Sequence, residues 1–146
     1  MRKTARKNRW LPALLLALAV AFVCALNVSA SEVVKSGTCG PSGYEKDVEW
    51  TLYKDGLLSV KSLSGKKGMG SNPWINESPE FIEQIREVIL EPGVTSVVNL
   101  AFRTPVYPNL EYVLLSETID TLGAGAFYGS PVKLVFIPSS LESRPF

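Results

Sequence analysis

The sequence predicts a mainly β protein, a short solenoid of about two and a half stacked repeats capped by an N-terminal β-hairpin and a short helix. Three observations predict it. Ile85 to Phe102 (IREVILEPGVTSVVNLAF) aligns without a gap to Leu110 to Phe127 (LEYVLLSETIDTLGAGAF) at an offset of 25 (110 − 85), and a partial third copy begins at Val132. Self-similarity at a fixed period of roughly 20 to 50 residues marks units that bury their apolar edges only against their neighbours. Ahead of the repeats, apolar and polar residues alternate at the period of two expected of half-buried strands. Helix-start signals are concentrated in one short stretch, Ser78-Pro79-Glu80.

Residues 1–30 read as a secretory signal peptide. Arg2, Lys3, Arg6, Lys7 and Arg9 form a basic start, Leu11 to Leu26 carries no charge, and Val28-Ser29-Ala30 supplies the small residues of a cleavage site after Ala30. The apolar run is shorter than the roughly 20 residues that span a bilayer, so a retained anchor is the lesser alternative. The expected location is secreted or at the cell surface, with membrane contact only through this segment before cleavage. Cleavage removes five of the 15 basic residues and none of the 14 acidic ones, leaving a net charge of −4. No basic surface then remains to follow a phosphate backbone, which excludes nucleic acid as a partner. Lys66-Lys67 reads as a solvated loop pair. Cys39 is left as the lone cysteine, read as a small buried residue in a turn, with pairing between chains as the alternative.

The leader, residues 31–84, is β-rich. Val48, Trp50 and Leu52 alternate with Glu49, Thr51 and Tyr53, and Leu58 and Val60 resume the pattern after Lys54-Asp55-Gly56. An Asp-Gly turn between alternating runs signals a two-stranded hairpin, because glycine supplies the positive φ without steric cost. Trp50 should face inward. Ser64 to Pro73 is a loop by composition, and its glycines and lysines lack the order of a phosphate-binding loop. Ser78 then reads as an N-cap, Pro79 as the first helical residue and Glu80 as a first-turn acid. The helix places Phe81, Ile82 and Ile85 on one face, and its expected task is to cover the open end of the repeat stack.

The repeats occupy residues 85–146, divided as 85–109, 110–131 and a partial 132–146. Ile85, Val88, Leu90, Val94, Val97, Ala101 and Phe102 are matched by Leu110, Val113, Leu115, Ile119, Leu122, Ala126 and Phe127, and the third copy supplies Val132, Val135, Ile137 and Leu141. The spacing L-x-x-V-x-L is that of a leucine-rich repeat. No asparagine is expected to ladder at the turn between repeats; an Ala-Phe pair stands in its place.

Together these residues carry a family resemblance. Thr38-Cys39-Gly40, Trp50-Thr51-Leu52, Asp55-Gly56-Leu57-Leu58, Pro73-Trp74, Gly93-Val94-Thr95-Ser96-Val97, Ala101-Phe102, Gly123, Ala126-Phe127 and Ile137-Pro138 resemble the bacterial BspA-like leucine-rich repeat family and the β-rich leader that often precedes its repeats. The resemblance implies an exported or surface-exposed solenoid, in a family associated with adhesion to host proteins or other cells. Members usually carry more repeats than the two and a fragment present here.

Catalysis is not expected, nor is a cofactor or a metal. The chain has no histidine, the usual general base and the key to the Ser-His-Asp and Cys-His arrangements. Glu77, Glu80, Glu83, Glu87 and Glu91 cluster in sequence, yet they read as a solvated face. The strand faces offer more. If Val88/Leu90, Val113/Leu115 and Val135/Ile137 point inward, alternation turns Glu87, Ile89, Tyr112, Leu114, Leu134 and Phe136 outward. Ile89, Tyr112, Leu114, Leu134 and Phe136 then form an apolar stripe, the candidate contact surface for a protein or glycan. The competing reading is that the leader, the helix or a neighbouring chain covers it as core.

The last strand, Leu134 to Pro138, has only Ser139 to Phe146 to cover it, so self-association through this uncapped strand is a further expectation. Two functional readings follow: an exported binding module, or a truncated structural remnant of a longer surface repeat protein with no ligand of its own.

Overall fold

The computed structural model describes residues 31–142; the expected signal peptide lies outside the described residues. Eight strands and two short α-helices follow in chain order, with 3-10 turns at Glu45–Asp47 and Pro73–Asn76: β1 (Val33–Thr38), β2 (Val48–Tyr53), β3 (Leu57–Ser62), α1 (Pro79–Ile82), β4 (Glu87–Leu90), β5 (Ser96–Val97), β6 (Tyr112–Leu115), β7 (Thr121–Leu122), β8 (Leu134–Phe136) and α2 (Ser139–Glu142). One mixed sheet has the order β1-β2-β3-β4-β6-β8, and β5 and β7 form a second, two-stranded sheet. The first three strands pair antiparallel. From β3 onward every pairing is parallel.

The Asp55-Gly56 turn forms as its chemistry requires. Gly56 has φ of 91°, and a Cβ there would stand 2.6 Å from the Gln84 carbonyl oxygen. That close approach has a purpose: the Gly56 carbonyl accepts from the amides of Arg86 (2.9 Å) and Glu87 (3.2 Å), which starts β4 beside β3. The same two-into-one bond recurs at the next strands. Arg86 accepts from Glu111 and Tyr112, and Glu111 accepts from Lys133 and Leu134. The hairpin turn is thus the first rung of the ladder that the repeats continue, and the sheet runs across residue 84 without a break.

The sequence offset is the structural register. Glu87 pairs with Tyr112 and Ser96 with Thr121, each 25 residues apart, whereas Tyr112 pairs with Leu134 across the shorter third copy. The matched apolar positions fill the interior. Ile85, Val88, Leu90, Val94, Val97, Ala101 and Phe102 are buried, as are Leu110, Val113, Leu115, Ile119 and Ala126; Leu122 and Phe127 are partly buried. The aromatics line up through this core: Trp50 meets Trp74 edge-on (5.9 Å), Trp74 stacks on Phe102 (6.1 Å) and Phe102 on Phe127 (5.7 Å). Each large ring buried this way contributes about 1.5–3 kcal/mol. The Trp74 indole N–H donates to the Tyr107 hydroxyl at 2.8 Å, satisfying a polar group that would be costly to bury alone.

Four expectations are corrected. The leader holds three antiparallel strands rather than a two-stranded ribbon; β1 leaves nearly all its side chains in solvent, so no alternating burial marks it in sequence. Helix α1 has the expected cap, with the Ser78 hydroxyl accepting from the Phe81 amide, but it lies on the path from β3 to β4 and packs Phe81 edge-on against Trp50. The far edge of β3 is satisfied by β2 instead. Asparagine does bridge between the repeats once, since Asn99 accepts from the Ala124 amide at 2.8 Å. Ile137 is not core: β8 ends at Phe136, and Ile137 is 48% exposed because no described strand covers it.

Candidate functional site

The parallel ladder determines which side chains share a row on the outer face of the sheet. Val88, Leu90, Val113 and Leu115 are buried inward, which turns the residues between them outward. One row runs Ser59, Ile89, Leu114, Phe136, and its neighbour runs Leu57, Glu87, Tyr112, Leu134. All five residues of the predicted stripe therefore lie on one face of three adjacent strands, which at about 4.8 Å per strand is a patch roughly 10 Å across. The leader does not cover it. Ile89 and Leu114 are half-buried between their neighbours, while Tyr112 is 43%, Phe136 42% and Leu134 61% exposed.

The face changes character along the sheet. On β2 and β3 the central outward positions are the hydroxylic Thr51 and Ser59, the latter only 8% exposed and bonded to Glu91; from β4 to β8 they are Ile89, Leu114 and Phe136. Carboxylates bracket the apolar stripe on β4. Glu87 is exposed and makes no ion pair among the described residues, and Glu91, just past the strand, accepts from the Ser59 hydroxyl without a cationic partner. Elsewhere on the sheet charges are paired: Lys61 with Glu49 at 3.5 Å and Lys133 with Glu111 at 2.9 Å. Glu91 was legible only as one of the clustered acids, because its place beside Ile89 depends on where β4 ends.

The remaining clustered acids are dispersed. Glu77 pairs with Lys35 at 2.7 Å, and Glu80 and Glu83 border an open polar cleft of about 340 Å³ with Lys54, Asp55, Arg86 and Asn109. Hydrogen bonding from Ser78 and its own amide holds the Glu80 carboxyl below its ordinary range. Lys66 is exposed, but Lys67 lies over the Tyr44 ring at 3.6 Å, and its backbone bridges to Val94. Cys39 is buried, as its turn suggested, and burial pushes its thiol pKa up to about 12. A thiol so protonated and enclosed is a poor nucleophile. Among the described residues no group of histidine, cysteine or acidic side chains could hold a metal.

No family model matches this sequence, and no match to a curated protein was found. Among solved structures, a leucine-rich repeat protein from Eubacterium ventriosum is similar, with a TM-score of 0.51 and 25% sequence identity over 69% of this chain. The match covers 26% of that protein's chain.

Proposed function

We propose that this chain is a leucine-rich-repeat interaction module, exported by its N-terminal segment, that binds a protein or glycan outside the cell or at its surface and does no catalysis. Its architecture is read as a short solenoid of about two and a half repeats, of the BspA-like kind, with β3 serving as the strand of an initial coil. The observation that carries the proposal is the outward row Ile89, Leu114, Phe136 with Tyr112 and Leu134 beside it. Apolar side chains with inward alternatives already filled by Val88, Leu90, Val113 and Leu115 add nothing to the core. Large apolar patches on a domain surface tend to mark interfaces. The likeness to a leucine-rich repeat protein supports the fold half of the reading. An adhesion role rests on the family resemblance, and self-association through the edge of β8 that no other described strand pairs is a second use of the same end of the sheet.

The test is the Leu114→Asp, Phe136→Asp double variant, examined by circular dichroism, by light scattering after size-exclusion chromatography, and for binding to extracellular-matrix proteins and a glycan array. Retained structure with lost binding or lost self-association is the expected result. Loss of the folded signal would make the stripe core, and unchanged binding would place the interface elsewhere.

A further inference from the structure

We infer that the partner is a protein and that the segment it presents is apolar with flanking Lys or Arg, received by Ile89, Leu114 and Phe136 between the carboxylates of Glu87 and Glu91. This inference rests on the interface reading above and adds the chemistry of the occupant. On β4 and just past its end the sequence on this face reads acid, apolar, acid: Glu87, Ile89 and Glu91, the last held to the face by the Ser59 hydroxyl. Four residues separate the two backbone positions, roughly 13 Å at about 3.3 Å per extended residue. Neither has a cation among the described residues, although the nearby Glu49 and Glu111 are both paired. Lys61 and Lys133 are engaged by those other acids, and Arg86, exposed and in no ion pair among the described residues, borders the polar cleft with Lys54, Glu80 and Glu83, so the apolar centre is left with Glu87 and Glu91 as its unpaired charges.

Such a surface rejects an acidic partner. An apolar segment without cations would cover the stripe but desolvate Glu87 without compensation, which is unfavourable. A segment with basic residues on each side of an apolar centre fills the stripe and neutralises both carboxylates, and complementary charge also speeds encounter. A neutral glycan could stack on Tyr112 and Phe136, but it brings no cation to Glu87 and Glu91, so it fits the face less well than a basic-flanked peptide. A second copy of this chain through the same face would oppose Glu87 and Glu91 to their own kind.

The experiment selects short random display peptides on the purified protein, then measures the affinity of selected peptides for wild type, Glu87→Lys, Glu91→Gln and Leu114→Asp. Circular dichroism of each variant is the control for folding. The expected result is enrichment of peptides with Lys or Arg on both sides of an apolar centre. Their affinity should fall about tenfold or more with Glu87→Lys, and should weaken between about 0.05 M and about 0.5 M salt as screening shortens the range of the charges. Selected peptides that are neutral or acidic, or binding indifferent to Glu87→Lys and to salt, would overturn the inference while leaving the interface reading in place if Leu114→Asp still abolishes binding. Binding unaffected by Leu114→Asp would overturn both. Saturable binding to a neutral glycan that these peptides do not displace would overturn the assignment to protein.

Discussion

The leader and the repeats contribute to one sheet by different means. In the leader, β1 to β3 pair antiparallel around a hairpin turn, and the central outward positions are Thr51 and Ser59; in the repeats, β4, β6 and β8 pair parallel, first 25 and then 22 residues apart (112 − 87, 134 − 112), and the same row becomes Ile89, Leu114 and Phe136. The interior does not register the change. Trp50 and Trp74 of the leader continue into Phe102 and Phe127 of the repeats, and the Gly56 carbonyl starts β4 by the same bond with which Arg86 starts β6. The core is thus continuous where the surface is not. A repeat array begins here on a hairpin strand that imitates one of its own, leaving the outer face free to differ between the two halves.

The strongest way to break that comparison is to remove the ring that joins the halves. Phe102 is buried, stacked between Trp74 and Phe127, and tilted against Tyr107 at 5.7 Å. Phe102→Ala should cost about 3–5 kcal/mol. Because leader and repeats share this core, one cooperative urea transition should move to lower concentration by fluorescence and by circular dichroism alike. Two separated transitions would show that the leader is an independent domain. Phe127→Ala, at a partly buried ring, should cost less.

How much of this was legible in the sequence divides along the same line. The repeat core was readable because each inward position recurs at a fixed offset, so Val88 and Val113 vouch for one another. The positions of the stripe residues followed from the same alternation. Strand β1 was not readable, because its side chains lie in solvent and its only pattern is in its backbone bonds to β2. Nor was the role of Trp74: it extends the Phe102–Phe127 stack without sharing their neighbours in sequence. The same holds for Glu91, whose setting depends on a register that β3 and β4 establish across 30 residues, between Leu57 and Glu87.

A second, smaller break removes a single hydroxyl from the junction. Tyr107→Phe leaves the Trp74 N–H buried without its acceptor and should cost about 1–3 kcal/mol. Tyr107 also makes the comparison sensitive to alkali. Burial raises its pKa from the ordinary 10.0 to about 12, opposed by the Trp74 hydrogen bond, and burial raises Cys39 from 9.0 to about 12. Both groups hold their protons more tightly when folded, so their contribution is fully present below the unfolded values and is lost as pH rises toward about 12. Each should lower stability by about 1.4 kcal/mol per pH unit within its own window. Urea titrations from neutral pH upward should show wild type weakening from about pH 9, Cys39→Ala weakening from about pH 10, and Tyr107→Phe keeping the earlier onset with a shallower slope above it.

The finest test compares two copies of one position. Leu100 and Gly125 both have a left-handed backbone, with φ of 54° and 62°, and they occupy equivalent places in the aligned segments. Glycine adopts this conformation freely, whereas a leucine pays roughly 1–2 kcal/mol for it. Leu100 is 42% exposed and recovers part of that by resting against its partner copy, since a Cβ on Gly125 would meet its side chain at 2.9 Å. Leu100→Gly should therefore change stability by less than about 1 kcal/mol, with relief of strain offset by the greater freedom of the unfolded chain. Gly125→Ala should lose about 1–2 kcal/mol, because it imposes the same strain and crowds Leu100. Denaturation midpoints of the two variants measure the asymmetry directly. Equal losses in both would mean that the leucine is held by packing rather than tolerated, and that the two copies differ in their contacts more than their shared register implies.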